Sequence, residues 1–193
     1  MAVEGIDARQ IEAFNKEYST SPDNFRLGLE ARSMWEGRGL GNLGKVGRWS
    51  LGGQVMDKPT RDFSVQLGSW QEVGDALGVE GADDRIEPVE TALVALASCV
   101  TEAITLNCAR TGVDLKGLEV KTSIDVDPGP ITGAKDPDDW QQTLKTVKVD
   151  VTAKGDLSKK DQEMIEEGAT RSPVHHLFSR AVDLKSKFRY QKA

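Results

Sequence analysis

The hydrophobic and polar positions of the chain change period several times, and each change predicts an element. Between residues 7 and 19 the apolar residues Ile11, Phe14 and Tyr18 recur at helical spacing, which predicts a short N-terminal helix. The stretches 25–35 and 62–68 have the alternation of strands, and the glycine-rich sequence between them is typical of hairpin turns.

The glycine-rich segment also contains a formal match to a dinucleotide-binding fingerprint, at Gly39, Gly41 and Gly44. That fingerprint needs a helix directly after the glycines, because the helix N-terminus binds the pyrophosphate. Here the next residues return to strand-like sequence, so we reject this interpretation in favour of turns.

The most apolar element begins at Pro88 and continues for 24 residues to Thr111. Proline at the first helical position, Glu90 in the first turn and Arg110 in the last turn favour a helix. A helix of this length with so few charged residues is expected to be central and largely buried. Its apolar stripe consists of Val89, Leu93, Leu96, Val100 and Ile104.

After this helix the period changes to two. Residues 118–127 and 143–154 alternate, which predicts an antiparallel hairpin around a loop rich in Pro, Gly and Asp at 127–139. Strands, a buried helix, strands again and further helices predict an α+β fold with a segregated antiparallel sheet. The remaining predicted elements are a polar helix opened by Ser158 and closed by Gly168, a short helix started by Ser172 and Pro173, and a last strand at 181–188.

Composition narrows the classes of function. The 193 residues are 38% hydrophobic and carry a net charge of −6, with no basic block to collect phosphates, which argues against nucleic-acid and membrane partners. The N-terminus lacks the basic and apolar regions of a secretory signal, and we find no apolar run near the roughly 18 residues of a membrane span. We therefore expect a protein of the cytoplasm.

The residues that could carry chemistry are two cysteines and two histidines. Cys99 and Cys108 are nine residues apart on one predicted helix, about 13 Å of rise, so they cannot form a disulfide and act only as thiols. His175 and His176 are adjacent and point about 100° apart on a helix, so they do not chelate one ion, and we predict neither a metal nor a cofactor. On composition alone Cys99 would be a buried, inert thiol.

Two segments together resemble a known family. The sequence EPVETALVALASCVTEAITLNCARTGVDLKGLEV resembles the central-helix signature of the OsmC/Ohr superfamily (osmotically inducible protein C and organic hydroperoxide resistance protein). RSPVHHLFSR resembles its second signature, C-P-V-x-x-x-L. The resemblance covers about residues 25–190, so we expect a single OsmC-like domain over 25–193 and an N-terminal helical extension over 1–24.

The resemblance implies an intertwined homodimer in which antiparallel sheets wrap around two central buried helices. It also implies thiol-dependent reduction of organic hydroperoxides, with Cys99 as the peroxidatic residue. An arginine would stabilise its thiolate, for which Arg38 and Arg61 are the candidates and Arg61 is favoured, and Glu90 would supply the orienting carboxylate.

The chain departs from the family pattern at two positions. Ser172 replaces the resolving cysteine, so the sulfenic acid would need an external dithiol of the lipoyl or thioredoxin type. The family's glutamate after the motif proline falls on Val89, with Glu90 one position later. The alternative hypothesis is a non-catalytic member that binds a small apolar ligand at the dimer interface, with Cys99 as a structural residue.

Overall fold

The computed structural model describes residues 3–56, 62–82, 84–180 and 184–189. The chain forms two compact units: an N-terminal unit, Asp7–Val94, and a C-terminal unit, which comprises the residues before and after it. Helices and antiparallel sheets occur in both, and the fold is α+β as the sequence predicts.

The N-terminal unit is built on a four-stranded antiparallel sheet. Its strand β2 pairs with each of the other three, β1, β3 and β4. Gly39 turns the chain between β1 and β2, and Gly52 and Gly53 turn it between β2 and β3, all three with positive φ, as the prediction of hairpin turns requires. Gly44 instead lies within β2. The strands are β1 (Leu27–Trp35), β2 (Asn42–Leu51), β3 (Gln54–Met56) and β4 (Ser64–Leu67).

Two helices flank this sheet in sequence. The predicted N-terminal helix is α1 (Ala8–Thr20), capped by the Asp7 side chain, and its Phe14 ring lies 4.8 Å from the ring of Phe25. A second helix, α2 (Gln71–Leu77), was not predicted, because its short sequence has Gly74 in its middle and little apolar periodicity.

Helix α3 (Pro88–Thr111) has the predicted bounds. Leu96, Val100 and Ile104 of its stripe are buried, but Val94 and Leu106, on another face, are 64% and 49% exposed. Among the described residues α3 is therefore covered along one side, which is less than the largely buried helix that its composition predicts. It is also long and apolar enough to cross a membrane, against the sequence expectation, although core helices of soluble proteins share these properties.

The C-terminal unit places a hairpin and two helices around the second part of α3. Strand β5 pairs in antiparallel register with β6, with Val120 opposite Val151. The second strand begins five residues later than predicted, because residue 143 ends a helical turn and residues 144–147 have neither helix nor strand. The remaining elements are β5 (Gly117–Ser123), α4 (Gly129–Thr132), α5 (Trp140–Thr143), β6 (Lys148–Lys154), α6 (Lys159–Thr170) and α7 (Pro173–Ser179).

The predicted last strand at 181–188 is not borne out where it can be checked. Residues 184–189 have neither helix nor strand, and residues 181–183 lie outside the described part of the chain. The core of this unit is a cluster of buried apolar side chains contributed by α3, α6 and the turn between α3 and β5: Leu96, Val100, Ile104, Cys108, Val113 and Ile165.

Candidate functional site

The two cysteines of α3 differ in access to solvent. Cys99 is half-buried, whereas Cys108 has no exposed surface. Burial raises the pKa of the Cys108 thiol, and the negative charge of Asp161 raises it further. Because the thiolate is the reactive form, burial and the raised pKa both disfavour reaction at Cys108, and Cys99 is the more accessible of the two thiols.

Helix α6 packs closely against the second part of α3. The Asn107 side-chain amide donates a hydrogen bond of 2.6 Å to the backbone carbonyl of Met164. One turn later in α6, a Cβ on Gly168 would lie 2.9 Å from the Cα of Ile104 and 3.5 Å from the carbonyl oxygen of Ala103. As α6 advances, its contact therefore moves back along α3, so the two helices are antiparallel.

Gly168 allows this close approach, and the prediction that it ends the helix is wrong. Helix α6 continues to Thr170, and Gly168 is a buried interior residue of it. The missing side chain lets the backbone of α6 lie against α3, a role that a glycine inside a helix can also have.

Ser172 lies where the resemblance places the resolving cysteine. After α6 ends at Thr170, the backbone N–H of Arg171 bonds to the carbonyl of Gly168 and that of Ser172 to the carbonyl of Ala169, which forms a tight turn that leads to Ser172. Its side chain is wholly buried, and its hydroxyl oxygen accepts a 3.1 Å bond from the N–H of His175. Ser172 is thus the N-cap of α7, as the sequence predicts.

The histidines of α7 do not form a metal site. Their rings lie 5.7 Å apart between centroids and nearly perpendicular to each other. Among the described residues no group of three or more His, Cys, Asp or Glu side chains could hold a metal ion.

The Glu90 carboxylate is hydrogen-bonded to the backbone at the start of α3. Its carboxylate accepts a 3.1 Å bond from the backbone N–H of Glu87, and the Glu87 carboxylate accepts a 2.5 Å bond from the N–H of Val89. These bonds satisfy N–H groups that have no partner within the helix. Glu90 and Cys99 are nine residues apart on this helix, about 13 Å of rise.

Of the two candidate arginines, Arg38 lies among the described residues and Arg61 does not. Arg38, on the β1–β2 connection, makes a two-pronged ion pair with Glu80, which raises the pKa of Arg38 and lowers that of Glu80. A second pair, Arg85 with Glu36 at 2.6 Å, is more buried.

These two ion pairs line one polar cleft of about 480 Å³ in the N-terminal unit. Glu80, Arg85 and the burial of Ser172 were not predicted from the sequence. The ion pairs join residues 42 and 49 positions apart, so local patterns carry no signal for them. The sequence offered one signal that the end of this helix packs closely, namely Gly168, a small residue inside an otherwise polar helix.

Comparisons with known proteins find solved structures to which this chain is similar. An organic hydroperoxide resistance protein from Elizabethkingia anophelis superposes with a TM-score of 0.51 at 12% identity, covering 78% of this chain and 86% of that one. A protein described as osmotic stress induced and of the detoxification response, from Psychrobacter arcticus 273-4, superposes with a TM-score of 0.49 at 14% identity, covering 75% and 83%. No curated protein sequence matches the chain.

The family model for OsmC-like proteins matches residues 81–187, more than half of the sequence, and includes Cys99 and Ser172. The superposition at a TM-score of 0.51 supports the same fold. The chain therefore belongs to the OsmC-like protein family.

Proposed function

We propose that this protein is a thiol-dependent reductase of organic hydroperoxides in which Cys99 is the peroxidatic residue. The observation that carries the proposal is the contrast between the two thiols. The thiol at the family's motif position is half-buried and so partly accessible to solvent, whereas the other thiol has no exposed surface. The name of the Elizabethkingia protein, organic hydroperoxide resistance, supports the same substrate class.

The proposed reaction has two stages. The Cys99 thiolate attacks one peroxide oxygen, the O–O bond breaks, and the alkoxide takes up a proton, giving Cys99 sulfenic acid and an alcohol. One thiol of an external dithiol then condenses with the sulfenic acid, releasing water. The second thiol of that reductant displaces Cys99, which leaves the reductant as a disulfide.

The thiolate needs a nearby cation, because burial of a thiol beside apolar residues disfavours its ionised form. Arg38 and Arg61 remain the candidates. A guanidinium keeps its charge at any physiological pH, so either residue would supply a permanent positive charge.

We further propose that the active protein is a homodimer. In the N-terminal unit all nine residues of β1 are exposed, with Leu29 at 71% and Trp35 at 68%. Exposed apolar surface of this kind marks an interaction site, and the open face of α3 at Leu106 is a second example. A second copy of the chain is the partner that the family resemblance implies.

The test of the enzymatic proposal compares Cys99→Ser with Cys108→Ser as a matched control on the same helix. Reduced protein is mixed with cumene hydroperoxide, and mass spectrometry with a sulfenic-acid trap follows each thiol. We expect sulfenic acid on Cys99 alone, complete loss of dithiol-dependent peroxide consumption in Cys99→Ser, and near-normal consumption in Cys108→Ser. An unmodified Cys99 at millimolar peroxide would refute the proposal and leave the ligand-binding alternative.

A further inference from the structure

We infer that the polar cleft of the N-terminal unit binds a small zwitterion of the amino-acid type, whose carboxylate bonds to Arg85 and whose ammonium group pairs with Asp75. The cleft has a volume of about 480 Å³, which is in the range of small-molecule sites. Every residue that lines it belongs to Asp7–Val94, so one unit forms the whole cleft. The inference is independent of the proposed reaction, because Cys99 is not among the lining residues.

Arg85 is the more deeply placed of the two arginines that line the cleft. Its side chain is 19% exposed, whereas that of Arg38 is 79% exposed. Two glycines make room for it: a Cβ on Gly41 would lie 3.0 Å from Nη1 of Arg85, and a Cβ on Gly68 would lie 3.0 Å from its Cδ. The side chain therefore occupies a slot that exists because these two positions lack side chains.

The guanidinium of Arg85 has more hydrogen-bond donors than its neighbours use. Its Nη1 donates a 2.6 Å bond to the Glu36 carboxylate, and its Nε lies 3.7 Å from Asp84, which is too far for a hydrogen bond. The other hydrogen bonds recorded for the described residues provide no second acceptor. Polar groups that are mostly buried normally have partners, and a ligand carboxylate in the cleft would accept two parallel bonds from this guanidinium.

The charges of the lining favour a zwitterion over a simple anion. Carboxylates outnumber guanidiniums there by three to two: Glu36, Asp75 and Glu80 against Arg38 and Arg85. A ligand with two negative charges, such as phosphate, would be repelled by this excess, whereas an ammonium group on the ligand would offset it.

Asp75 is the carboxylate that has no cation beside it. Glu36 and Glu80 each pair with one of the two arginines. Asp75 accepts a 2.8 Å bond from the uncharged side-chain amide of Gln71, and no cation pairs with it among the described residues. It is therefore the group that we expect to receive the ammonium group of the ligand.

The experiment uses three probes built on one carbon skeleton. Norvaline carries both charged groups, pentanoate lacks the ammonium group, and butylamine lacks the carboxylate. Amide NMR titration of the full chain measures each dissociation constant and identifies the amides that shift. We expect norvaline to shift Gly68, Asp75 and Arg85, pentanoate to bind about tenfold more weakly, and butylamine to show no binding.

Inorganic phosphate is the fourth probe, and we expect it not to bind. Phosphate or pentanoate binding more tightly than norvaline would overturn the choice of a zwitterion. If none of the four probes shifts the amides of the cleft, the inference fails as a whole, whatever the outcome of the peroxide experiment.

The anchor is tested by Arg85→Met, with Arg26→Met as the matched control. Both variants remove the arginine of an ion pair in the N-terminal unit, but Arg26, 2.8 Å from Asp23, does not line the cleft. We expect norvaline to bind about tenfold more weakly or worse in Arg85→Met and normally in Arg26→Met. Asp75→Asn should lower the affinity for norvaline to that for pentanoate. Equal affinity for norvaline in the wild type and a folded Arg85→Met would overturn the inference.

Glu36→Gln keeps the test decisive if Arg85→Met does not fold, because removing the arginine leaves a half-buried carboxylate without its partner. This variant retains Arg85 and removes the carboxylate that competes for it. Norvaline and pentanoate should therefore both bind more tightly, by roughly threefold or more. A purely structural ion pair predicts lower stability of Glu36→Gln with no gain in affinity, and that result would contradict the inference.

Discussion

The two units of the chain differ in how many apolar side chains they bury. The C-terminal unit buries six apolar side chains in one cluster. In the N-terminal unit the fully buried residues among 7–56, 62–82 and 84–94 are two glycines, Gly68 and Gly74. The C-terminal unit covers its apolar side chains with its own residues, whereas the sheet of the N-terminal unit leaves apolar side chains exposed.

The proposed chemistry lies in the unit with the complete core. Cys99 belongs to this unit, where α6 packs closely against α3. Active-site groups need support of this kind, since their geometry depends on the packing behind them. The exposed sheet is a surface that the proposed homodimer would cover.

The largest expected effect on the free energy of unfolding is at a core residue, and it is compared with a substitution in the exposed sheet. Ile104→Ala removes a side chain with no exposed surface and should lower the free energy of unfolding by about 2–5 kcal/mol. Leu29→Ala, at 71% exposed, should change it by less than about 0.5 kcal/mol at low protein concentration. Urea unfolding followed by circular dichroism measures both.

Unfolding of the same two variants at increasing protein concentration tests the difference between the two units further. If a second copy covers β1, the cost of Leu29→Ala will grow with concentration, because dissociation then contributes to unfolding. A cost for Leu29→Ala that equals that of Ile104→Ala at every concentration would mean that the two units do not differ in this way.

Elements with several local signals could be predicted from the sequence. Helix α3 has its proline, its first-turn acid and its stripe, and α6 has Ser158 and Asp161, which form a capping box. The β5–β6 hairpin follows from its alternation.

What could not be predicted depends on contacts between distant residues. Gly168 was taken for a helix end, because a local pattern cannot distinguish a glycine that stops a helix from one that lets two helices touch. The exposed face of α3 is a similar case: apolar composition predicts that a surface will be covered, but not whether the cover comes from the same chain. The partners of Arg38 and Arg85 likewise come from distant parts of the sequence.

The next largest effect lies within the well-packed unit. Alanine is normally better than glycine inside a helix by up to about 1 kcal/mol, so Gly168→Ala would stabilise an isolated α6. In the folded chain the new Cβ would lie 2.9 Å from the Cα of Ile104, too close to be accommodated by a side-chain rotation. We therefore expect a net loss of roughly 1–2 kcal/mol in urea unfolding.

Glu166→Ala, on an exposed position of the same helix, is the control and should stay within about 0.5 kcal/mol. A stabilising Gly168→Ala would show that α6 does not lie against α3 as closely as described.

The smallest effect concerns Glu90, for which the family resemblance and the local geometry suggest different roles. Its carboxylate accepts the N–H of Glu87 at the first turn of α3, where a negative charge also interacts favourably with the helix dipole. Glu90→Gln should therefore lower the free energy of unfolding by less than about 1 kcal/mol, and Glu87→Gln by a similar amount. The rate of Cys99 alkylation as a function of pH should be the same in both variants and in the wild type, because a cap some 13 Å along the helix does not contact the thiol. A shift of the alkylation profile in Glu90→Gln alone would contradict this. It would mean that the assembled protein brings this carboxylate to a thiol, as the resemblance implies, and that the N-terminal unit contributes directly to the chemistry.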